Sequence, residues 1–458
     1  MTDLPREIFK AYDIRGVAGR NLTADVVALI GQAVASEARR QGFREVVVGR
    51  DGRLSSPELA AAAVLGLRRG GVDVVDIGQV TTPMSYFAAH ELGSQCALMV
   101  TGSHNPAQDN GLKIVLADGA LSGEAIQALR RRIETGDLAL GEGGLRQHDI
   151  AGAYRARILG DVRLARPMSI AVDAGNGVAG AYAPELYRAL GCRVEALFCQ
   201  VDGRFPNHHP DPSVPANLAD LAACVTGGDA EIGLAFDGDG DRLGVVMKSG
   251  RILYPDRLLM LFAADVLARE PGGLVIFDVK SSRNLYRWIR DRGGRPLLWR
   301  TGHSVIKAKM RETGALLAGE ISGHLFFKER WYGFDDGLYA GARLLEILSR
   351  HPDPAALLAA LPDALCTPEL QIPMAEGEPA RVMAKARAAA RFDGALEVID
   401  LDGLRVEYAD GFGLMRASNT TPALVLRFEA DDAAALARIQ AAFRRTLDQA
   451  WPGLPWPV

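Results

Sequence analysis

Ser169-Ile170-Ala171-Val172-Asp173-Ala174-Gly175-Asn176-Gly177 is a short apolar run closed by an aspartate and a glycine-rich polar turn. It reads as a strand that ends in a turn and feeds a helix. The same grammar recurs where Val46-Val47-Val48 leads into Arg50-Asp51-Gly52, and where Leu274-Val275-Ile276-Phe277 leads into Asp278-Val279-Lys280-Ser281. The pattern suggests three related α/β domains, although strands ending this way are common in any α/β chain.

The residues around the first unit support the alternation. Thr23 reads as an N-cap, Val26, Ile30 and Val34 recur at helical spacing, and Gly42 ends that helix. Ser56-Pro57 opens the next helix with a cap and a proline. A strand from about Val72 to Ile77, a helix from about Pro83 and a strand from Ala97 to Val100 follow. These are βαβ units and imply a largely parallel sheet. Beyond about Thr367 the pattern changes. A helix near 380–390, strands near 396–399 and 424–428, and a closing helix near 431–449 read as a smaller α+β module. The Pro- and Trp-rich end, Trp451 to Val458, reads as a packed strap. The expected domains are 1–148, 149–251, 252–366 and 367–458.

Length and composition set outer limits. At roughly 150 residues per domain, length alone suggests about three domains. Hydrophobic residues at 48% and charged residues at 24% are ordinary soluble composition. A net charge of -4 argues against a broad nucleic-acid-binding surface and leaves room for a local anion site. No apolar run is long enough to span a bilayer, and Met1 to Lys10 lacks the apolar core of a secretory signal. The 5 cysteines are odd in number and form no CxxC pair, which fits a reduced cytoplasm.

Four polar constellations carry chemistry. Thr101-Gly102-Ser103-His104-Asn105-Pro106 directly follows a strand, where ligands bind in parallel sheets. Ser103 is placed as a nucleophile, with His104 and Lys113 as helpers; a plain capped turn fits the same residues. Asp237-Gly238-Asp239-Gly240-Asp241-Arg242 puts carboxylates at alternate positions of a glycine-rich loop, able to converge on one hard cation. A calcium loop would need Gly and Glu where Arg242 and Lys248 stand, so a Mg²⁺ site for phosphoryl chemistry fits better. Gly319-Glu320-Ile321-Ser322-Gly323-His324, with Lys280 and Thr301-Gly302-His303-Ser304 upstream, offers a carboxylate and a hydroxyl for vicinal sugar hydroxyls. Arg416-Ala417-Ser418-Asn419-Thr420-Thr421 has the chemistry of a phosphate clamp, and equally that of a polar hairpin loop.

In order, from Phe9-Lys10-Ala11-Tyr12-Asp13-Ile14-Arg15-Gly16 to the Arg416 stretch, these motifs resemble the α-D-phosphohexomutase superfamily over nearly the whole chain, and its bacterial phosphomannomutase/phosphoglucomutase branch above all. The resemblance implies three similar α/β domains with mixed, mainly parallel sheets and a smaller C-terminal α+β domain around a central cleft. It implies that Ser103 carries the phosphoryl group and that Asp237, Asp239 and Asp241 hold Mg²⁺, the phosphoserine adding an oxygen. Arg15, Lys113 and Arg242 would flank the transferring phosphoryl. Tyr12, Lys280 and His303 would contact the sugar or help close the cleft. Glu320 and Ser322 would read sugar hydroxyls, and Arg416, Ser418, Asn419 and Thr420 would grip the non-reacting phosphate.

The implied cycle interconverts glucose or mannose 1- and 6-phosphates through a phosphoserine and a hexose 1,6-bisphosphate, glucose 1,6-bisphosphate being the activator. The sequence leaves the proton partner open among Lys113, His104, His303 and His324. A hinge near 366–370 would close the last domain. The implied protein is a cytoplasmic monomer that feeds nucleotide-sugar precursors. Phosphoglucosamine mutase is the rival, but that branch usually has Gln where Ile321 stands and lacks the 301–304 stretch. A phosphoenzyme phosphatase and a silent sugar-phosphate binder are the other readings; the distal clamp opposes the first, and the intact Ser103 and aspartates oppose the second.

Overall fold

The computed structural model describes residues 4–117, 119–419 and 421–457, and its strands form four sheets. Three of the sheets share one plan. In the first, Glu45–Arg50 lies between Asp73–Gln79 and Ala97–Val100, both parallel to it, and Asp109–Leu116 turns back antiparallel on Ala97–Val100. In the second, Ser169–Asp173 lies between parallel Arg193–Leu197 and Ile232–Phe236, and Leu243–Met247 turns back. In the third, Leu274–Asp278 lies between parallel Arg295–Trp299 and Leu317–Gly319, and Leu325–Phe327 turns back. The three aspartate-terminated runs in the sequence are therefore the same central strand of three copies of one unit. Each turn-back follows the carboxyl end of a parallel strand, where side chains can converge on a ligand.

The fourth sheet is antiparallel. Its path runs Leu365–Cys366, Ala423–Ala430, Gly411–Ala417, Leu404–Tyr408, Glu397–Ile399, and Leu370–Pro373 also pairs with Ala423–Ala430. The helices Glu378–Ala389 and Ala433–Ala450 cover it. Several of these strands escape the sequence pattern for physical reasons. Leu404–Tyr408 contains Arg405, which is fully buried because its guanidinium donates to the carbonyls of Val279 and Ser281, each at 2.7 Å. Gly411–Ala417 contains Gly413, whose added Cβ would stand 2.3 Å from the Phe443 ring. Leu365–Cys366 already belongs to this sheet, just ahead of the expected boundary after 366. Trp451, Leu454 and Trp456 pack on its core, as a strap should.

Local signals fare well with small shifts. Thr23 Oγ1 accepts from Val26 N–H at 3.4 Å and caps helix Ala24–Arg40. Ser56 does not cap. It lies inside helix Ser56–Arg69, and its hydroxyl donates to Asp51 at 2.5 Å because that buried carboxylate offers a charged acceptor.

One buried cluster runs from Val47 and Phe87 through Ile170 and Phe236 to Phe262, Phe327 and Tyr339, so the first three domains share a core. Ile372, Val406, Leu426 and Phe443 form a separate core in the fourth. The fourth domain meets the third through a small apolar cluster, Val279 with Phe412 and Leu414, and through polar links: Lys280 to Glu369 at 2.9 Å, Ser282 to Glu429 at 3.0 Å and Arg283 to Asp431 at 2.5 Å.

Candidate active site

The serine stretch begins where strand Ala97–Val100 ends. Ser103 is buried and takes a left-handed backbone, φ +49. Its N–H donates to Thr101 Oγ1 at 2.8 Å, and its hydroxyl donates to Asp237 Oδ2 at 2.8 Å. His104 Nδ1 lies 3.2 Å from the same hydroxyl. Arg15 Nη1 donates to the Gly102 carbonyl at 2.6 Å and to Asn105 Oδ1 at 3.2 Å, while Asp13 steadies its Nε at 2.7 Å.

The acidic loop is the equivalent turn-back of the second domain. Gly240, at φ +77, supplies the bend that brings Asp237, Asp239 and Asp241 together, all with no exposed surface. One oxygen from each lies within 4.8 Å of the others. Lys113 Nζ donates to Asp239 Oδ2 at 2.7 Å and Asp241 Oδ2 at 2.5 Å. Thr82 Oγ1 donates to Asp239 Oδ2 at 2.5 Å. Oδ1 of Asp239 and Oδ1 of Asp241 stay buried without a hydrogen-bond partner. Burying such oxygens is costly unless something positive meets them. An all-oxygen, three-carboxylate set fits a hard divalent cation.

The electrostatics point the same way. Burial, together with the charges of Asp239 and Asp241, pushes the Asp237 carboxyl well above its ordinary range. Burial pushes Asp239 up as well, but the Lys113 ammonium more than offsets it and the carboxyl ends below its ordinary value. Burial would lower Lys113, yet Asp239 and Asp241 hold it well above the ordinary lysine value. Burial, then the charges of Arg242 and Arg15, hold His104 well below the ordinary imidazole range. His104 is therefore neutral.

The third turn-back, after Leu317–Gly319, presents Glu320 and Ser322. Burial raises the Glu320 carboxyl. Its Oε1 accepts from Gly302 N–H, and Ser322 Oγ stands 3.3 Å from Oε2. His324 Nε2 accepts from Arg242 Nε at 3.0 Å, and its Nδ1 lies 3.0 Å from Asp335 Oδ2. His303 stacks on His324 with ring centroids 5.5 Å apart, and its Nδ1 lies 3.7 Å from the same Asp335 oxygen. Lys307 donates to the other oxygen of Asp335 at 2.7 Å.

From the fourth domain, Asn419 Nδ2 donates to Tyr12 Oη, and Tyr12 donates to the Thr301 carbonyl at 2.7 Å. Arg416 is buried, with Nη2 3.2 Å from Asp402. Ser418 Oγ accepts from Thr421 N–H at 3.3 Å. Thr420 lies outside the described residues.

A cavity of about 510 Å³ brings the loops together: Tyr12, Arg15, Ser103, His104 and Lys113 from the first domain, Arg242 from the second, His303 and His324 from the third, and Asn419 and Thr421 from the fourth. Asp237, Asp239, Asp241, Glu320, Ser322, Lys280, Arg416 and Ser418 stand outside its lining, the three aspartates directly behind Ser103 and Lys113.

Sequence reading missed the pillars behind these loops. Asp51 accepts from Gly102 N–H at 3.1 Å, and Asp278 from Ile321 N–H at 3.4 Å. Both are the aspartates that end the central strands, so the repeat itself was the signal. Asp335, Thr82 and Arg53 carried no comparable signal, because their role depends on what folds against them.

The profile for the phosphoglucomutase/phosphomannomutase α/β/α domain I matches residues 6–139, that for domain II residues 153–250, that for domain III residues 254–365, and that for the C-terminal domain residues 369–446. The chain is 56% identical to the phosphoglucomutase of Neisseria gonorrhoeae over 100% of both chains. It is 54% identical to the phosphomannomutase/phosphoglucomutase of Pseudomonas aeruginosa strain PAO1, covering 99% of this chain and 98% of that one. A crystal structure of a phosphoglucomutase/phosphomannomutase family protein from Burkholderia thailandensis superposes with a TM-score of 0.95 at 58% identity, over 100% of each chain. The chain belongs to the phosphoglucomutase/phosphomannomutase family of the α-D-phosphohexomutase superfamily and is a phosphohexose mutase.

Proposed function

We propose that this mutase moves phosphate between carbon 1 and carbon 6 of glucose and mannose phosphates through Ser103, with a hexose 1,6-bisphosphate as the intermediate. The observation that carries the reading is the Ser103 hydroxyl 2.8 Å from Asp237, in the lining of a cavity shared by all four domains. Phosphoserine 103 gives its phosphoryl to the free hydroxyl of a hexose monophosphate. The P–Oγ bond breaks, a P–O bond to the sugar forms, the sugar hydroxyl yields its proton and the serine oxygen regains one. The bisphosphate turns over in the cavity and returns its other phosphoryl to Ser103.

Phosphoryl transfer asks for charge and alignment more than covalent help. Mg²⁺, held by Asp237, Asp239 and Asp241 beside Ser103, would supply charge for the phosphoryl oxygens. Arg15 and Arg242 aim guanidinium groups into the same cavity. Lys113 reaches the same carboxylates through its ammonium and adds positive charge beside them. Lys113, His104, His303 and His324 are the candidates to relay protons. His104 touches the serine oxygen, whereas the His324 Nε2 lone pair accepts from Arg242. Glu320 and Ser322 read vicinal hydroxyls in either sugar orientation, with Lys280 beside them. Arg416, Ser418, Asn419 and Thr420 grip the idle phosphate. Closure of the fourth domain over the cavity would exclude water.

A coupled mutase assay on mannose, glucose and glucosamine 1-phosphates, with and without glucose 1,6-bisphosphate, tests the reading. The first two should turn over well and the third poorly, and Ser103→Ala should lose nearly all activity. Full activity in Ser103→Ala would end it.

A further inference from the structure

Beneath the serine stretch lies a residue that no cavity exposes. Arg53 follows the strand-ending Asp51 by two positions, and its side chain is 1% exposed. Its Nη1 donates to the carbonyls of Pro106 at 2.6 Å and Asp109 at 2.9 Å. Its Nη2 donates to the carbonyls of Ser103 at 2.7 Å and Asn105 at 2.6 Å. One guanidinium thus satisfies four backbone acceptors of the loop that carries the nucleophile, while its Nε lies 3.3 Å from Asp51 Oδ2. The fit is close: a Cβ on Gly102 would meet the guanidinium carbon at 2.4 Å.

The second domain closes over the other face. The Phe205 ring lies over the guanidinium with its centroid 5.2 Å away. Gly203 packs so near that an added Cβ would stand 2.7 Å from Arg53 Cα. His209 Nε2 bonds the carbonyl of His104, one residue past the serine. The serine stretch is therefore pinned from below by Arg53 and held there by the 203–209 segment of the neighbouring domain.

We propose that Arg53, clamped by Phe205, is a positioning residue that fixes the left-handed conformation of Ser103 and so aims its oxygen at the acidic loop. A left-handed serine is disfavoured unless its surroundings impose it. Four inward carbonyls supply that imposition only if a planar fork answers them all. Arginine has the donors and the geometry, whereas a lysine ammonium has three donors and no plane. Arg53 does not line the cavity, so it acts on the reaction through the loop and not through the sugar. Where Lys280 stands at the matching position of the third domain, the cation reaches Glu369 instead, so the inward turn belongs to the serine unit.

The inference rests on Ser103 as the phosphoryl carrier, and the test separates the two. Wild type, Ser103→Ala, Arg53→Lys and Phe205→Leu are incubated with labelled glucose 1,6-bisphosphate, then assayed for kcat, KM and label lost to water per turnover. If wild type takes up no label that Ser103→Ala lacks, the phosphoserine reading fails. If it does, folded Arg53→Lys should show kcat lower by about 100-fold at unchanged KM, the scale of a misplacement of about 1 Å, with more label lost to water. Wild-type kcat and retention in folded Arg53→Lys, or a defect confined to KM, would overturn the positioning role. If Arg53→Lys does not fold, Phe205→Leu decides: reduced kcat at unchanged KM supports the clamp, and wild-type kcat refutes it.

Discussion

Ser103 donates to Asp237, and the Oδ1 atoms of Asp239 and Asp241 wait without partners. At this scale the chemistry is a matter of charge count. Removing one carboxylate as Asp237→Asn should cut mutase turnover by about 100-fold or more, the range seen when one charge-stabilising group is lost. Chelation of wild type should abolish activity and Mg²⁺ restore it, while the variant should need far more cation for half-maximal rate. Initial rates against metal concentration check both. Glu320 offers a second residue-scale test. A hydrogen bond to a charged group contributes about 1.5–3 kcal/mol, so Glu320→Gln should lower kcat/KM by about 10- to 100-fold. The loss should appear with glucose and mannose 1-phosphate alike, because the two sugars differ only at carbon 2 and share the vicinal 3- and 4-hydroxyls. A loss with only one sugar would show that it reads the 2-hydroxyl, where the two sugars differ.

Loops of equal rank in the repeated unit meet at close quarters, and this is the element scale. A Cβ on Gly238 would stand 2.2 Å from the Ser103 carbonyl oxygen, which is backbone and cannot swing aside. Gly238→Ala should push the serine and acidic loops apart and reduce turnover strongly, with a small change in thermal midpoint, since the strands behind each loop are untouched. Kinetics and a melting curve on the same preparation read both effects. Wild-type turnover in that variant would mean that the two loops need not touch.

The whole molecule couples the domains through buried groups that titrate. Asp336 caps helix Gly337–Ser349 by accepting from Tyr339 N–H at 2.9 Å. It also accepts at 2.8 Å from the hydroxyl of Tyr154, on the opening helix of the second domain. Burial pushes its carboxyl up to about 7. A carboxyl raised in the folded state binds its proton more tightly there than in the unfolded chain, whose ordinary value is about 3.9. Stability from this group is therefore full below about pH 4 and is lost as pH rises through about 7. Asp336→Asn should flatten that part of the stability profile, as denaturant midpoints measured from pH 4.5 to 8 would show. An unchanged slope would assign the dependence to another group.

What the sequence determined by itself was local and periodic. The strand-ending aspartates marked one unit used three times, because a strand feeding a turn and a helix leaves a trace in adjacent residues. Glycine-spaced Asp237, Asp239 and Asp241 announced a cation site for the same reason. Other facts needed the folded chain. Strands Leu404–Tyr408 and Gly411–Ala417 were hidden because a buried arginine and two glycines break the alternation, and only partners elsewhere make them tolerable. Lys113 against two aspartates, Asp335 between two histidines and Arg53 beneath the serine were decided by tertiary contact. Their charges act across space between residues far apart in the chain, and such distances are set only when the domains close on one another.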